Sequence, residues 1–350
     1  MRIVVDAMGG DRAPREIVRG ALDAAARLDL EVALAGRPAA IEPLLGAAGA
    51  RPAGVTMIEA EDAIGMEEHG AAAARERRRS SIVVGLREVK EGRADAFVSA
   101  GNTGAVMAAA TLVLGRIRGV KRPALGTVFP AAGGRRVLVL DVGANAEARA
   151  EYLVQSAHMG TAYASGVLGI ARPRVGLLSL GEEASKGNQL IQEVHAALTA
   201  DPAVRFAGNA EGNTIPSGDF DVIVTDGFTG NVAIKVAEGA AEFILGELRG
   251  ALTSALHYKL AAMVLRPALL KVRARIDFAE YGGAPLLGVD GVAIVAHGRS
   301  DARAIFNAVR VARDAARGGV VQQIAAAMEA GPHPPSPSPE NGRGVASPDG

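Results

Sequence analysis

The chain has 350 residues, 49% of them apolar, and its 38 Lys and Arg are matched by 38 Asp and Glu. That much apolar material supplies a core for most of the chain and excludes general disorder, while zero net charge gives no global field that argues for nucleic acid, and four Tyr, eight Phe and no Trp make stacking platforms scarce. The absence of Cys excludes disulfides, thiolate nucleophiles, iron–sulfur clusters and Cys-ligated zinc, and fits a reducing cytoplasm.

The first residues, Met1-Arg2-Ile3-Val4-Val5-Asp6, read as a strand over Ile3–Val5 and not as a signal peptide. A glycine turn follows, Asp6-Ala7-Met8-Gly9-Gly10-Asp11. Further strands are predicted at Glu31–Ala35, at Ala96–Ser99 before Gly101-Asn102-Thr103-Gly104, and at Val137–Leu140 before Asp141-Val142-Gly143-Ala144-Asn145. Val175–Leu178 leads into the polar loop Gly181-Glu182-Glu183-Ala184-Ser185-Lys186-Gly187-Asn188, and Asp221–Thr225 into Asp226-Gly227-Phe228-Thr229-Gly230-Asn231. The last strand is Val292–Ala296, before His297-Gly298-Arg299-Ser300-Asp301. Most of these runs are continuously apolar, as strands buried on both faces are, and alanine-rich helical stretches follow them. That is the rhythm of a doubly wound α/β sheet in three layers, here a single domain over 1–330.

Two stretches break the rhythm. From Glu238 to about Phe278 a helical pattern runs without a strand, interrupted at Pro267, and predicts a helical hairpin projecting from the sheet. The residues from Gly331 onward, rich in Pro, Ser and Gly, predict a disordered tail. The longest apolar stretch, Gly104 to Gly115, is closed by Arg116 and falls short of the about 18 residues a membrane span needs, so the expectation is a cytoplasmic protein.

Glycine after a buried strand lets backbone approach a ligand, and the next helix offers unpaired N–H groups at its positive end, a combination suited to phosphate. In open α/β sheets such turns gather at the carboxyl edge. Five turns share the design, and Asp95 to Gly104 echoes Asp221 to Gly230 as strand, Gly-x-Thr-Gly, helix. The plainer reading of each turn, helix capping by Thr, Asp and Asn, stays open. Lys186 beside Gly187 can reach a bound anion as a point charge or stand as a solvated loop lysine, with Glu182 and Glu183 orienting it or capping the next helix. Asn102 and Asn231 can cap helices or donate to a developing oxyanion. Asp6, Asp141 and Asp226 would repel an anion and are assigned positioning roles, and His297 a structural one.

The standard dinucleotide, P-loop and serine-hydrolase motifs are missing, and the six His have no metal-ligand spacing, although carboxylate-bound magnesium stays open.

Taken together and in order, Val5 to Asp11, Ser99 to Ala105, Leu140 to Asn145, Val224 to Asn231 and Tyr281-Gly282-Gly283-Ala284 resemble the bacterial phosphate acyltransferase (PlsX) family, over Met1 to about residue 330. The resemblance implies a fold like the isocitrate/isopropylmalate dehydrogenases and phosphotransacetylases. It also implies a homodimer without nicotinamide or other cofactor, and transfer of a long acyl chain from acyl carrier protein (ACP) to inorganic phosphate. The acyl phosphate would pass to a glycerol-3-phosphate acyltransferase. The resemblance points to Lys186 and Asn231 as catalytic. Around them Asp6, Gly9, Gly10, Asn102, Thr103, Gly104, Asp141, Asn145, Gly187, Asp226, Thr229 and Gly230 are expected to bind phosphate and substrate. One segment departs from the family pattern, because Gly70 and Ala72 stand where a Pro and an additional Arg are expected. If that Arg helps to hold a ligand, Arg75, Arg77 or Arg78 has to substitute for it, or the site is weaker.

The hairpin carries Leu256, Leu260, Met263, Val264, Leu265, Leu269 and Leu270 around Pro267, with Lys259, Arg266, Lys271, Arg273 and Arg275 nearby. An apolar tip rimmed by cations suits an anionic membrane surface. Dimer packing or docking of the acidic carrier protein are the alternatives. Three competing functions remain in view: a short-chain phosphotransacetylase, a nicotinamide-dependent hydroxyacid dehydrogenase, and a non-catalytic membrane scaffold.

Overall fold

Continuous apolar runs become strands here because helices roof the sheet on both sides. In the computed structural model, which describes residues 1–47, 54–276 and 282–331, eleven strands form one sheet. They are β1 (Arg2–Asp6), β2 (Glu31–Gly36), β3 (Val55–Glu59), β4 (Ala96–Ser99), β5 (Ala124–Pro130), β6 (Arg136–Leu140), β7 (Val175–Leu178), β8 (Phe206–Ala210), β9 (Val222–Val224), β10 (Ala284–Leu287) and β11 (Val292–Val295). Their order is β3-β2-β1-β4-β11-β10-β5-β6-β9-β7-β8.

Alternation along each strand sends one set of side chains to each roof. Ile3, Val5, Val32 and Leu34 pack with α1 (Arg15–Leu28), α2 (Pro38–Ala47), α6 (Ala150–Gly166), α7 (Gln189–Thr199), α10 (Ala302–Arg317) and α11 (Val320–Ala330). Val4, Ala33, Phe97 and Val139 pack with α3 (Gly70–Glu76), α4 (Ser81–Lys90), α5 (Thr103–Val113) and the first turns of α8 (Gly227–Thr253). The result is the expected three-layer α/β architecture.

All seven predicted strands are present, within two residues at each end. The other four escaped the apolar-run criterion for visible reasons. β3 (VTMIE) is an edge strand with partly exposed positions, β8 (FAGNA) carries Gly and Asn, and β5 (ALGTVFP) and β10 (APLL) contain Pro.

The sheet is mixed, not uniformly parallel, and this matters for the site. β1, β2, β3, β4 and β11 are mutually parallel; β10 is antiparallel to both β11 and β5, and β5 is antiparallel to β6. β6, β9, β7 and β8 are parallel to one another and therefore run opposite to the β1 set. Followed along the ladder, the carboxyl ends of the two sets lie on opposite edges. Arg174 fixes β7 to β9 at their amino ends: its Nε and Nη2 donate to the two Asp221 carboxylate oxygens at 3.1 and 3.2 Å. Burial pushes the Asp221 carboxyl up, but these hydrogen bonds and the guanidinium charge hold it below the usual range.

The hairpin exists with a different turn. α8 continues to Thr253 and α9 (Leu256–Ile276) follows after Ser254 and Ala255. Pro267 lies within α9 and does not break it. Met263, Val264, Leu265, Leu269 and Leu270 therefore sit along the middle of α9, with Leu256 at the turn. Four of those five are exposed, Val264 at 81%, and Leu269 is half-buried. Tyr281, the tail from residue 332 and the side chains of Arg273 and Arg275 lie outside the described residues.

Candidate active site

The five glycine turns do not share one edge. Asp6 to Asp11 and Gly101 to Gly104 follow β1 and β4; Asp141 to Asn145, Gly181 to Asn188 and Asp226 to Asn231 follow β6, β7 and β9 on the other.

The first set is knit tightly around Asp6. Its fully buried carboxylate accepts from Ser99 Oγ at 2.6 Å and from the Met8 N–H at 3.1 Å. Burial raises its pKa against these hydrogen bonds. Gly9 packs against Asp6 and Gly101, and Gly10 against Ala100 and Gly298. Asn102 caps α5, accepting from the Ala105 N–H at 3.0 Å, while its Nδ2 donates to the Met66 and Glu68 carbonyls at 2.9 Å each. Both amide hydrogens are thereby used, so Asn102 cannot serve an oxyanion in this arrangement. Thr103 and Gly104 open α5 beside it. His297 Nδ1 accepts from the Arg299 N–H, the structural role expected.

The second set is built on Asp141. One oxygen accepts from the N–H groups of Leu125, Gly143 and Ala144 at 3.1, 3.0 and 2.9 Å. The other accepts from the Asn145 N–H at 2.8 Å and its Nδ2 at 2.9 Å. Asn145 Nδ2 also donates to the Pro123 carbonyl at 2.8 Å, and its own carbonyl receives the Gly227 N–H at 2.8 Å. Gly230 presses directly on the Asp141 carbonyl, where any Cβ would collide, so only glycine lets α8 begin there.

The echoed motif is used differently in its two copies. α5 is capped by Asn102 inside the Gly-x-Thr-Gly, whereas α8 is capped before it by Asp226, which accepts from the Thr229 N–H at 2.8 Å. The Gly227 and Thr229 N–H groups are therefore taken by protein, leaving Phe228 as the free donor of this turn among the described residues. Asn231, in the next turn, spends one amide hydrogen on the Val142 carbonyl at 3.0 Å and keeps the other.

More open donors stand on the neighbouring strand. After β7, the loop to α7 is closed by Asn188, which caps the helix through the Ile191 N–H at 3.0 Å. The Gln189 and Leu190 N–H groups at the start of α7 have no partner among the described residues. Lys186 is exposed, and its ammonium makes no hydrogen bond or ion pair among them either. Free N–H groups at a helix N-terminus, with a lysine in the loop that leads into it, are chemistry that suits an oxyanion. Two side chains outside this loop that the sequence does not single out, Asn209 on β8 and Gln192 on α7, grip its backbone. An Asn in a five-residue strand between Gly208 and Ala210 was the available signal for the first.

Residues 1–323 match the family model described as "Fatty acid synthesis protein". The phosphate acyltransferase of Heliobacterium modesticaldum is 51% identical over 331 residues, covering 94% of this chain and 97% of its own. That of Synechococcus sp. (strain JA-3-3Ab) is 48% identical over 334 residues, covering 95% and 91%. The chain belongs to the phosphate acyltransferase family. Its fold is shared with solved structures of low identity. A phosphotransacetylase from Streptococcus pyogenes aligns with TM-score 0.57 at 18% identity over 94% of both chains. A 4-hydroxythreonine-4-phosphate dehydrogenase from Klebsiella pneumoniae aligns with 0.53 at 14%, over 90% of this chain and 99% of that one.

In this phosphate acyltransferase the structure shows what occupies position 70, where the sequence reading expects a departure. Gly70 lies so close to Asn102 and the Ala105 N–H that a Cβ would collide with both, and this lets α3 rest on the first turn of α5. Ala72 is exposed. Of the three candidate substitutes, Arg77 is held by Asp62 at 2.9 Å and Glu68 at 2.8 Å, whereas Arg75 and Arg78 are exposed.

Proposed function

We propose that the chain transfers a long-chain fatty acyl group from acyl-ACP to inorganic phosphate, giving acyl phosphate for phospholipid synthesis. The observation that carries this reading is that Lys186 and the α7 N–H groups, without partners among the described residues, follow β7 while Asn231 follows its neighbour β9, in a phosphate acyltransferase.

Phosphate at neutral pH is already a nucleophile, so what it needs is desolvation and aim. Lys186 and the α7 N-terminus hold it. One phosphate oxygen attacks the thioester carbonyl carbon, and the C=O electron pair moves onto oxygen. The spare N–H of Asn231 donates to that tetrahedral oxyanion. The oxyanion collapses, the C–S bond breaks, and the carrier's thiolate departs and takes a proton from water. Asp141, Asn145, Asp226, Thr229, Gly230 and Gly187 keep the two turns in place, while Asp6, Gly9, Gly10, Asn102, Thr103 and Gly104 order the other edge.

The test compares donors. With phosphate present and hydroxylamine as trap, palmitoyl-ACP should give a kcat/KM at least about tenfold above acetyl-CoA, since each buried methylene adds about 0.8 kcal/mol. A preference for acetyl-CoA would support the short-chain reading.

The same proposal places the enzyme as a homodimer on the cytoplasmic membrane surface, near the glycerol-3-phosphate acyltransferase that consumes its product. The support is the apolar exposure of α8 and α9, from Phe243 (68%) to Met263 (70%) and Val264 (81%), beside Lys259, Arg266 and Lys271. No helix among the described residues is long and apolar enough to cross a membrane. Changing Met263, Val264 and Leu265 to Ser should abolish sedimentation with anionic vesicles; unchanged sedimentation removes α9 as the anchor.

A further inference from the structure

The ammonium of Lys186 makes no hydrogen bond or ion pair among the described residues and its alkyl chain lies over Gly181, so the loop backbone sets where it points. Its N–H donates to the Glu183 carbonyl at 3.0 Å. The same carbonyl receives the side-chain amide of Asn209, on β8, at 2.8 Å. Asn209 is 5% exposed, lies opposite Leu177 in the β7–β8 ladder, and reaches the loop from beneath. Among the described residues its Oδ1 has no hydrogen-bond partner, nor has the buried Ser179 Oγ nearby, which lies under Gly187. A half-satisfied buried amide is costlier than an apolar side chain of the same shape, so the fold gains nothing from Asn209 unless its one hydrogen bond is needed. On the outer side, Gln192 of α7 donates to the Ser185 and Gly187 carbonyls at 2.9 and 3.3 Å, bracketing residue 186.

We infer that Asn209 and Gln192 are positioning residues: they clamp the Glu183–Gly187 backbone from the sheet and from α7 so that Lys186 faces the phosphate. This rests on the role proposed for Lys186. Asn209 touches no reacting atom; it acts through the Glu183 carbonyl that it shares with the Lys186 N–H. Losing either clamp frees the loop while leaving the acyl-donor side and the oxyanion donor intact, so the effect falls on phosphate binding.

The experiment measures KM for phosphate, KM for the acyl donor, kcat and the thermal midpoint in Asn209→Leu, Gln192→Ala, Lys186→Ala and Asn209→Leu/Lys186→Ala. Asn209→Leu and Gln192→Ala should each raise the phosphate KM about tenfold, with kcat within about threefold and the donor KM unchanged. In the Lys186→Ala background, Asn209→Leu should add nothing, because its effect passes through the missing side chain. If Asn209→Leu does not fold, Gln192→Ala, an exposed site, carries the same test. A phosphate KM within twofold of wild type in the folded clamp variants, with Lys186→Ala impaired, overturns the clamp. So does a fully multiplicative loss in the double variant. An unimpaired Lys186→Ala overturns the function assigned to that lysine and the clamp with it.

Discussion

Lys186→Ala should lower kcat/KM for phosphate by roughly 10²–10³-fold, about 3–4 kcal/mol of transition-state stabilisation, while leaving the fold untouched. The two halves of that expectation have separate grounds. Activity falls because a point charge aimed at the transferred dianion is removed from a site where the other donors are neutral N–H groups. Stability holds because the side chain is exposed and makes no hydrogen bond or ion pair among the described residues, and surface changes of that kind stay within about 0.5 kcal/mol. Lys186→Arg should recover part of the loss, since charge is kept but the planar guanidinium does not place it identically. Hydroxylamine-trapped acyl phosphate across a phosphate titration, alongside a thermal melt, checks both; wild-type turnover in Lys186→Ala would remove the lysine from the mechanism.

Asp141→Ala should do the reverse, failing first as a fold. Four backbone N–H groups and the Asn145 side-chain amide converge on this carboxylate, which is 3% exposed. Those of Gly143 and Asn145 can turn toward water, but the Leu125 N–H, inside the sheet, cannot. The expected cost is about 4 kcal/mol, dominated by orphaned donors. Because Gly230 and Asn231 rest on the Asp141 and Val142 carbonyls, the start of α8 shifts with it. Urea unfolding should show a lower midpoint, with activity lost even where the variant is folded. A variant of full stability and activity would show that the node is dispensable.

The sequence disclosed the layers more fully than the ladder. Runs such as Ile3–Val5 and Val137–Leu140 announce strands covered on both faces, and all seven strands read that way are present. Strand direction carries no such mark. The reversal at β10 and β5 depends on which strands meet, a matter of distant pairing, so turns that look alike in sequence end on opposite edges. The Gly-x-Thr-Gly echo hid the same difference, since Asp226 and Asn102 cap at different frames. Pro267 removes one helix hydrogen bond and so marks a break in the sequence, yet α9 continues through it. Lys186 and Asn231, to which the proposed mechanism gives the chemistry, were legible as polar groups in glycine turns. The clamps were not, because Gln192 looks like any helix-surface glutamine and Asn209 reads as a defect in a strand.

Direct attack by bound phosphate is the central step, and rapid quench tests it most directly. Enzyme at a concentration comparable to radiolabelled palmitoyl-ACP is mixed without phosphate, then with it, and free ACP thiol and protein-bound label are followed. The predicted result is no thiol release and no labelled enzyme until phosphate arrives, then acyl phosphate formed in step with the thiol. A stoichiometric burst of thiol with label on the enzyme in the absence of phosphate would contradict it and would mean that a side chain carries the acyl group first.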